Sequence, residues 1–388
     1  MREKTVSFVF LIMILVFFTL VLLPQDEMAS VKENRPLAEM PEITLEKVLS
    51  GKFSTEYENY VNDNVSLRSK WVELGMEFEK IRGINLKNSE KIVDLINGMR
   101  LILSRGKIME VYKEKPDVVQ KYIDVLNRYS SDYSGKSDVY LMLVPTQIEF
   151  NDSQYSILAD SQKKTINNIY SSLENVKTVN VYDKLKQHMN EYIYFRTDHH
   201  WTQRGGYYGY QALMEAKGEK AFPLEDMTIK KAGAFLGYLY NQANIDEYAQ
   251  YADEIEYLEA GENYTVRSAG FDNGVPFESQ NKMYDIPAIG TGTNYNMFMG
   301  GDHQFAQIDT NIKNGQIALV IKDSYANTVI PLMTNNYEKI IVIDPRSYQG
   351  TVESIVDEYD VDDIIFINYT LTATLPNFID SVEKININ

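Results

Sequence analysis

Ile317-Ala-Leu-Val-Ile-Lys-Asp-Ser-Tyr325 sets five uninterrupted aliphatic residues ahead of a lysine, an aspartate and a serine. An aliphatic run of this kind reads as a strand buried on both faces, as inside parallel sheets. Ala326–Tyr337 behind it reads as a helix, so Ser324 falls at the turn between the two. The strand pattern recurs at Val139–Val144, Val176–Tyr182, Lys339–Ile343 and Asp363–Ile367. Helical stretches at Pro116–Tyr129, Asp160–Leu173 and Thr202–Ala216 separate most of these runs. Strands alternating with helices predict an α/β fold with a mostly parallel sheet and right-handed crossovers. Ligands of such sheets bind at the carboxyl ends of the strands, the edge on which Ser324 is expected.

Two of the four histidines stand together in Phe195-Arg-Thr-Asp198-His199-His200-Trp201. In an extended segment residues i and i+2 share a face, so Asp198 and His200 are expected side by side with His199 projecting away. A carboxylate that orients an imidazole, which in turn activates a hydroxyl, makes Asp198, His200 and Ser324 the candidate catalytic set. The competing reading is that Ser324 or Asp323 only caps the following helix. Tyr325, Trp201 and His199 flank the set and are candidates for lining a substrate or oxyanion site. His303, in Gly300-Gly-Asp-His303, belongs with them or in a surface turn. Asn368, after the last aliphatic run, is an oxyanion donor or a turn cap. A metal reading would use Asp198, His200 and Asp302-His303, but these lack the i, i+4 histidine spacing of helical zinc sites, so neither metal nor cofactor is expected.

The 388 residues carry a formal net charge of −17, which argues against a nucleic-acid partner. There is no cysteine, which excludes a thiol nucleophile and a disulfide framework. Arg2 and Lys4 precede an uncharged apolar run over residues 6–23, long enough to span a bilayer as a helix. Flanking positive charge stays inside the cell, so an uncleaved anchor over residues 1–24 is favoured over a cleaved signal peptide. Either reading puts the remainder outside the cytoplasm, facing the cell envelope.

Residues 25–100 read as a proline-bearing stalk followed by helices that cap the main domain, with helical spacing from Thr44 to about Arg82. Residues 101–388 are expected to form the catalytic domain. Within it, residues 232–313 are rich in glycine and tyrosine and read as an insertion of small strands and loops.

Tyr194–Leu213, reading YFRTDHHWTQRGGYYGYQAL, and Lys322-Asp-Ser-Tyr-Ala-Asn327 resemble the DHHW protein family. Glu33–Ala38, Asn62–Arg68, Gly300–His303 and Ile343–Arg346 also resemble it. That family is similar to the AlgJ/AlgX-type alginate O-acetyltransferases, whose SGNH-hydrolase-like domains carry Asp-x-His-Trp and a later serine. The resemblance implies a three-layer α/β/α domain, with Asp198 and His200 as the dyad and Ser324 as the nucleophile. It further implies O-acetylation of a cell-surface polysaccharide, with acetyl groups supplied by a membrane-bound acyltransferase partner. His199 departs from the small polar residue usual in the alginate enzymes. A carbohydrate esterase with the same residues, and a non-catalytic polysaccharide-binding protein, are the rival readings.

Overall fold

Along Asp138–Val144, Val139, Leu141 and Leu143 face one side and Tyr140, Met142 and Val144 the other, and all six are buried. This two-sided burial organises the computed structural model, which describes residues 90–386 except 96–97, 260–263, 273–274 and 287–293, and scattered positions before residue 61. The chain divides into two units, Met1–Asn88 and Ser89–Asn388. The first is represented mainly by a short antiparallel pairing of Ala29–Ser30 with Arg35–Pro36. Most of the expected stalk and helices, and the apolar run 6–23, lie outside the described residues. Among the described residues no helix is long and apolar enough to cross a membrane.

The second unit opens with β1 (Lys91–Asp94), β2 (Arg100–Ser104) and β3 (Lys107–Glu110), an antiparallel sheet of its own. The expected boundary at residue 100 therefore falls inside a sheet. Next come α1 (Pro116–Asp132), β4 (Asp138–Val144), α2 (Gln162–Ser172), β5 (Lys177–Thr178), α3 (Val181–Gln187) and α4 (Gln203–Lys217). A hairpin-like pair, β6 (Thr228–Phe235) and β7 (Asp253–Glu259), flanks the short α5 (Tyr238–Ala243). Then follow β8 (Tyr264–Asp272), β9 (Val275–Asn281), β10 (Phe305–Thr310), β11 (Ile317–Lys322), α6 (Ile330–Met333) and β12 (Lys339–Ile343). The chain closes with α7 (Val352–Tyr359), β13 (Asp363–Tyr369) and α8 (Pro376–Lys384).

The central sheet has eight strands in the order β9-β8-β10-β12-β11-β13-β4-β5. The five from β12 to β5 pair in parallel, as expected from their aliphatic runs. β8, β9 and β10 pair antiparallel, so the sheet is mixed. Those three strands come from the stretch read as an insertion, and they continue the sheet instead of standing apart from it. On one face, Ala318, Val320, Ile340, Val342, Ile365 and Ile367 pack with α3, α4 and α6. On the other, Leu319, Ile321, Ile341, Ile343, Ile364 and Phe366 pack with α1, α2, α7 and α8. Each of the Val, Leu, Ile and Phe side chains among them contributes about 1.5–3 kcal/mol by leaving water, so these strands hold the sheet edge rigid beneath Ser324.

Two expected elements differ locally. The run Val176–Tyr182 gives only the two-residue β5, because the Asn180 side chain accepts the Asp183 N–H at 3.3 Å and starts α3. The helix expected over Ala326–Tyr337 is a 3₁₀ turn, Ser324–Thr328, followed by the short α6. Pro331 has no N–H to continue a helical ladder through the junction.

Candidate active site

The strand β11 ends at Lys322, and the next residue begins the turn. Buried Asp323 accepts Tyr325 N–H at 2.9 Å and, from the end of β13, Tyr369 N–H at 2.9 Å and the Thr372 hydroxyl at 2.7 Å. Burial raises its pKa while these donors oppose the rise. Asp323 is thus the cap, and Ser324, the next residue, is left partly exposed above the sheet edge. The capping role expected of Ser324 or Asp323 thus falls to Asp323.

The histidine segment reaches the same place from α4. Tyr194 and Trp201 form an isolated antiparallel bridge, and Phe195 N–H donates to His200 O at 3.2 Å, closing residues 195–200 into a loop. The Trp201 indole is fully buried, donates to Tyr325 O at 2.9 Å and lies against α4. A Cβ on Gly209 would come within 2.6 Å of that indole, so only glycine lets the helix approach so closely. Trp201 ties the histidine loop to the serine turn and is too deep to meet a substrate.

His200 lies between the other two members of the set. Its Nδ1–H donates to Asp198 Oδ1 at 2.6 Å, and its Nε2 faces Ser324 Oγ at 2.7 Å, accepting from the hydroxyl. The partners assign this tautomer, since a carboxylate only accepts. Asp198 also takes His200 N–H at 2.9 Å and Tyr238 N–H at 2.8 Å. Burial works to raise the Asp198 pKa, but His200, His199 and these donors outweigh it and hold the carboxyl well below its usual range. Gly237 packs directly on this carboxylate's own side chain: a Cβ there would lie 2.3 Å from Asp198 Cβ. Chemically, the line can take a proton from Ser324 and return one to a leaving group.

His199 does not project away. Its ring lies 3.8 Å from that of His200, and its Nδ1 is 3.6 Å from Asp198 Oδ1. The expectation assumed an extended strand, whereas the closed loop turns successive side chains toward one another. His199 Nδ1 is buried with no hydrogen-bond partner, and burial, reinforced by His200, pulls the ring down to about 3. Asp198, His199 and His200 bring ligand-type atoms within 4.8 Å of one another, a cluster that has the donor types to hold a cation.

The remaining candidates are dispersed. The Tyr325 hydroxyl donates to His199 O, and its ring stacks on Tyr369 at 4.8 Å and 7°, forming the floor beside the serine. The Asn368 amide is directed at Asp323, its oxygen accepting from Tyr122 OH at 2.8 Å; both contacts lie under the turn. His303 contacts Met299 O at 2.8 Å and Asn281 at 3.3 Å, while its neighbour Asp302 turns to the site. Asp302 pairs with the buried Lys322, accepts from Asn327 Nδ2 at 3.0 Å and meets Arg346 at 3.0 Å. Neither Asp253, which pins the histidine loop, nor Tyr295, which covers His200, was singled out from sequence. Lys322, a cation closing an otherwise aliphatic strand, signals that a partner such as Asp302 must meet it, and it points to neither of those two.

Residues 26–343 match the protein family described as DHHW protein. The chain belongs to the DHHW family. A DHHW family protein from Eubacterium siraeum has a solved structure similar to this chain at TM-score 0.66 and 28% identity, covering 76% of this chain and 99% of the other. Bacillus cereus PatB1, solved with a sulfonyl adduct, is similar at TM-score 0.62 and 20% identity, covering 75% and 99%. The O-acetyltransferase domain of Pseudomonas putida AlgJ is more distant, at TM-score 0.41 and 11% identity over 76% and 99%. No curated protein matches the chain. This DHHW chain therefore has the mixed α/β fold of its family, with its signature residues on one sheet edge.

Proposed function

We propose that this DHHW protein is an O-acetyltransferase acting on a cell-surface polysaccharide outside the cytoplasm. The observation that carries the reading is the single imidazole bridging Asp198 at 2.6 Å and Ser324 at 2.7 Å. On this reading the domain is an SGNH-hydrolase-like three-layer α/β/α unit, the run 6–23 is its membrane anchor, and a membrane-bound acyltransferase supplies the acetyl group.

Ser324 Oγ attacks the acetyl carbonyl while His200 Nε2 takes its proton, and Asp198 stabilises the imidazolium. The oxyanion lies against the Ser324 N–H, since the next amide, of Tyr325, is held by Asp323. Collapse expels the donor's leaving group, which receives the proton from His200, and leaves acetyl-Ser324. In the second half, a sugar hydroxyl gives its proton to His200 and attacks the acetyl-enzyme. The ester forms on the sugar, and Ser324 regains the proton.

The full chain is tested with p-nitrophenyl acetate as donor and a chitooligosaccharide as acceptor. An acetyl adduct mapped to Ser324 and an acetylated sugar support transfer. Free acetate alone makes the protein an esterase, and labelling anywhere but Ser324 overturns the site. The sulfonyl adduct on PatB1 suggests a second probe, because sulfonyl reagents trap nucleophilic hydroxyls.

A further inference from the structure

Tyr295 contributes no group to the proton path, yet it touches two of its members, His200 and Ser324. It stands in a one-turn 3₁₀ segment, Tyr295–Met297, opened by Asn294, whose side chain accepts the Asn296 N–H at 2.9 Å. Its ring lies flat over the His200 imidazole, centroids 3.6 Å apart and planes 4° from parallel. Its hydroxyl donates to the main-chain oxygen of Ser324 at 2.9 Å. Phe195 and Phe298 hold the ring from behind, at 6.3 Å and 5.4 Å. The phenol is buried, and burial pushes its pKa far up, so it stays neutral.

The groups around His200 are few. Asp198 takes Nδ1, Ser324 takes Nε2, His199 covers the second face at 3.8 Å, and the Tyr325 ring lies at 5.3 Å. Asp302 and Asp323 lie further out and act on Tyr295 only through their charge. His199 cannot share a positive charge with its neighbour without repulsion, so the Tyr295 face is the one that welcomes an imidazolium. A cation over an aromatic face is attracted by the ring quadrupole.

We propose that Tyr295 is a positioning residue that holds His200 in the plane joining Asp198 to Ser324 and stabilises its protonated form. This rests on the reading of Ser324 as nucleophile and His200 as base. It assigns a role to the glycine- and tyrosine-rich stretch: delivering one ring to the base.

The test follows inactivation of the full chain by phenylmethanesulfonyl fluoride, read by intact mass, as a function of pH. Losing the aromatic face makes protonation of the base harder, so Tyr295→Leu should move the acid limb of the profile to lower pH by about half a unit to one unit. Tyr295→Phe keeps the face and should leave the limb in place, while slowing labelling about fivefold through the lost bond to Ser324 O. Trifluorophenylalanine at position 295 preserves shape and weakens the face, so it should reproduce the shift even if Tyr295→Leu fails to fold. An unmoved limb in the fluorinated protein overturns the proposal. Failure of the wild-type chain to be labelled at Ser324 overturns the nucleophile assignment instead, and the two failures are separable.

Discussion

Asp253 accepts the Thr197 N–H at 2.8 Å although 56 residues separate them. The same carboxylate takes the Arg196 N–H at 2.7 Å, the Thr197 hydroxyl at 2.5 Å and the Tyr192 phenol. It is fully buried and raised in pKa by that burial. The first residue of β7 thereby fixes the loop that presents Asp198 and His200.

Replacing Asp253 by Ala should orphan four donors and destabilise the protein by about 2–4 kcal/mol. Ser324 labelling should fall as well, because the loop loses its anchor. Calorimetry beside intact-mass labelling checks both, and an unchanged melting temperature would refute the anchoring role.

Ser324→Ala should abolish the acyl adduct and leave the fold intact, since Asp323 and not Ser324 caps the turn. An acetyl adduct surviving on the Ala protein would remove Ser324 from the mechanism.

The two histidines should separate by role. His200→Ala should cost several orders of magnitude in labelling rate, as loss of one member of such a set does. His199→Gln should cost far less, because its Nδ1 makes no hydrogen bond. Equal losses would show that the base has been misassigned.

His199 also sets an acid sensitivity. Its folded value is depressed to about 3, whereas the unfolded ring titrates near about 6.5. Between those values the unfolded chain binds a proton that the folded chain refuses. Stability is therefore full above the unfolded value and declines as pH falls toward the folded one. The ring keeps some exposure, which tempers the effect to about 1–2 kcal/mol of the acid-side loss. Melting temperatures from pH 7 to 4 should fall less steeply in His199→Gln than in the wild type.

Activity should withstand exhaustive chelation, because every step of the serine pathway is carried by Ser324, His200 and Asp198. Metal analysis of the purified chain should find no stoichiometric zinc. Loss of activity on chelation, restored by zinc, would turn Asp198, His199 and His200 into a metal site.

The parallel strands were legible because burial on both faces demands short, nearly continuous apolar runs, and Ile317–Ile321 and Asp363–Ile367 are of strand length and rich in β-branched residues. The placement of Ser324 at a strand end, and the pairing of Asp198 with His200 two residues on, were equally local. The extension of the sheet by β8, β9 and β10 was hidden, because glycine- and tyrosine-rich runs carry no two-sided aliphatic signal. His199, Asp253, Tyr295 and Asp302 were decided only by tertiary structure. Each depends on a partner brought in by chain closure: Asp253 folds the histidine loop so that His199 meets His200, and Tyr295 arrives from 95 positions downstream to lie on that ring. Local periodicity reports which face of an element is buried, and it holds no information about which distant side chain arrives there.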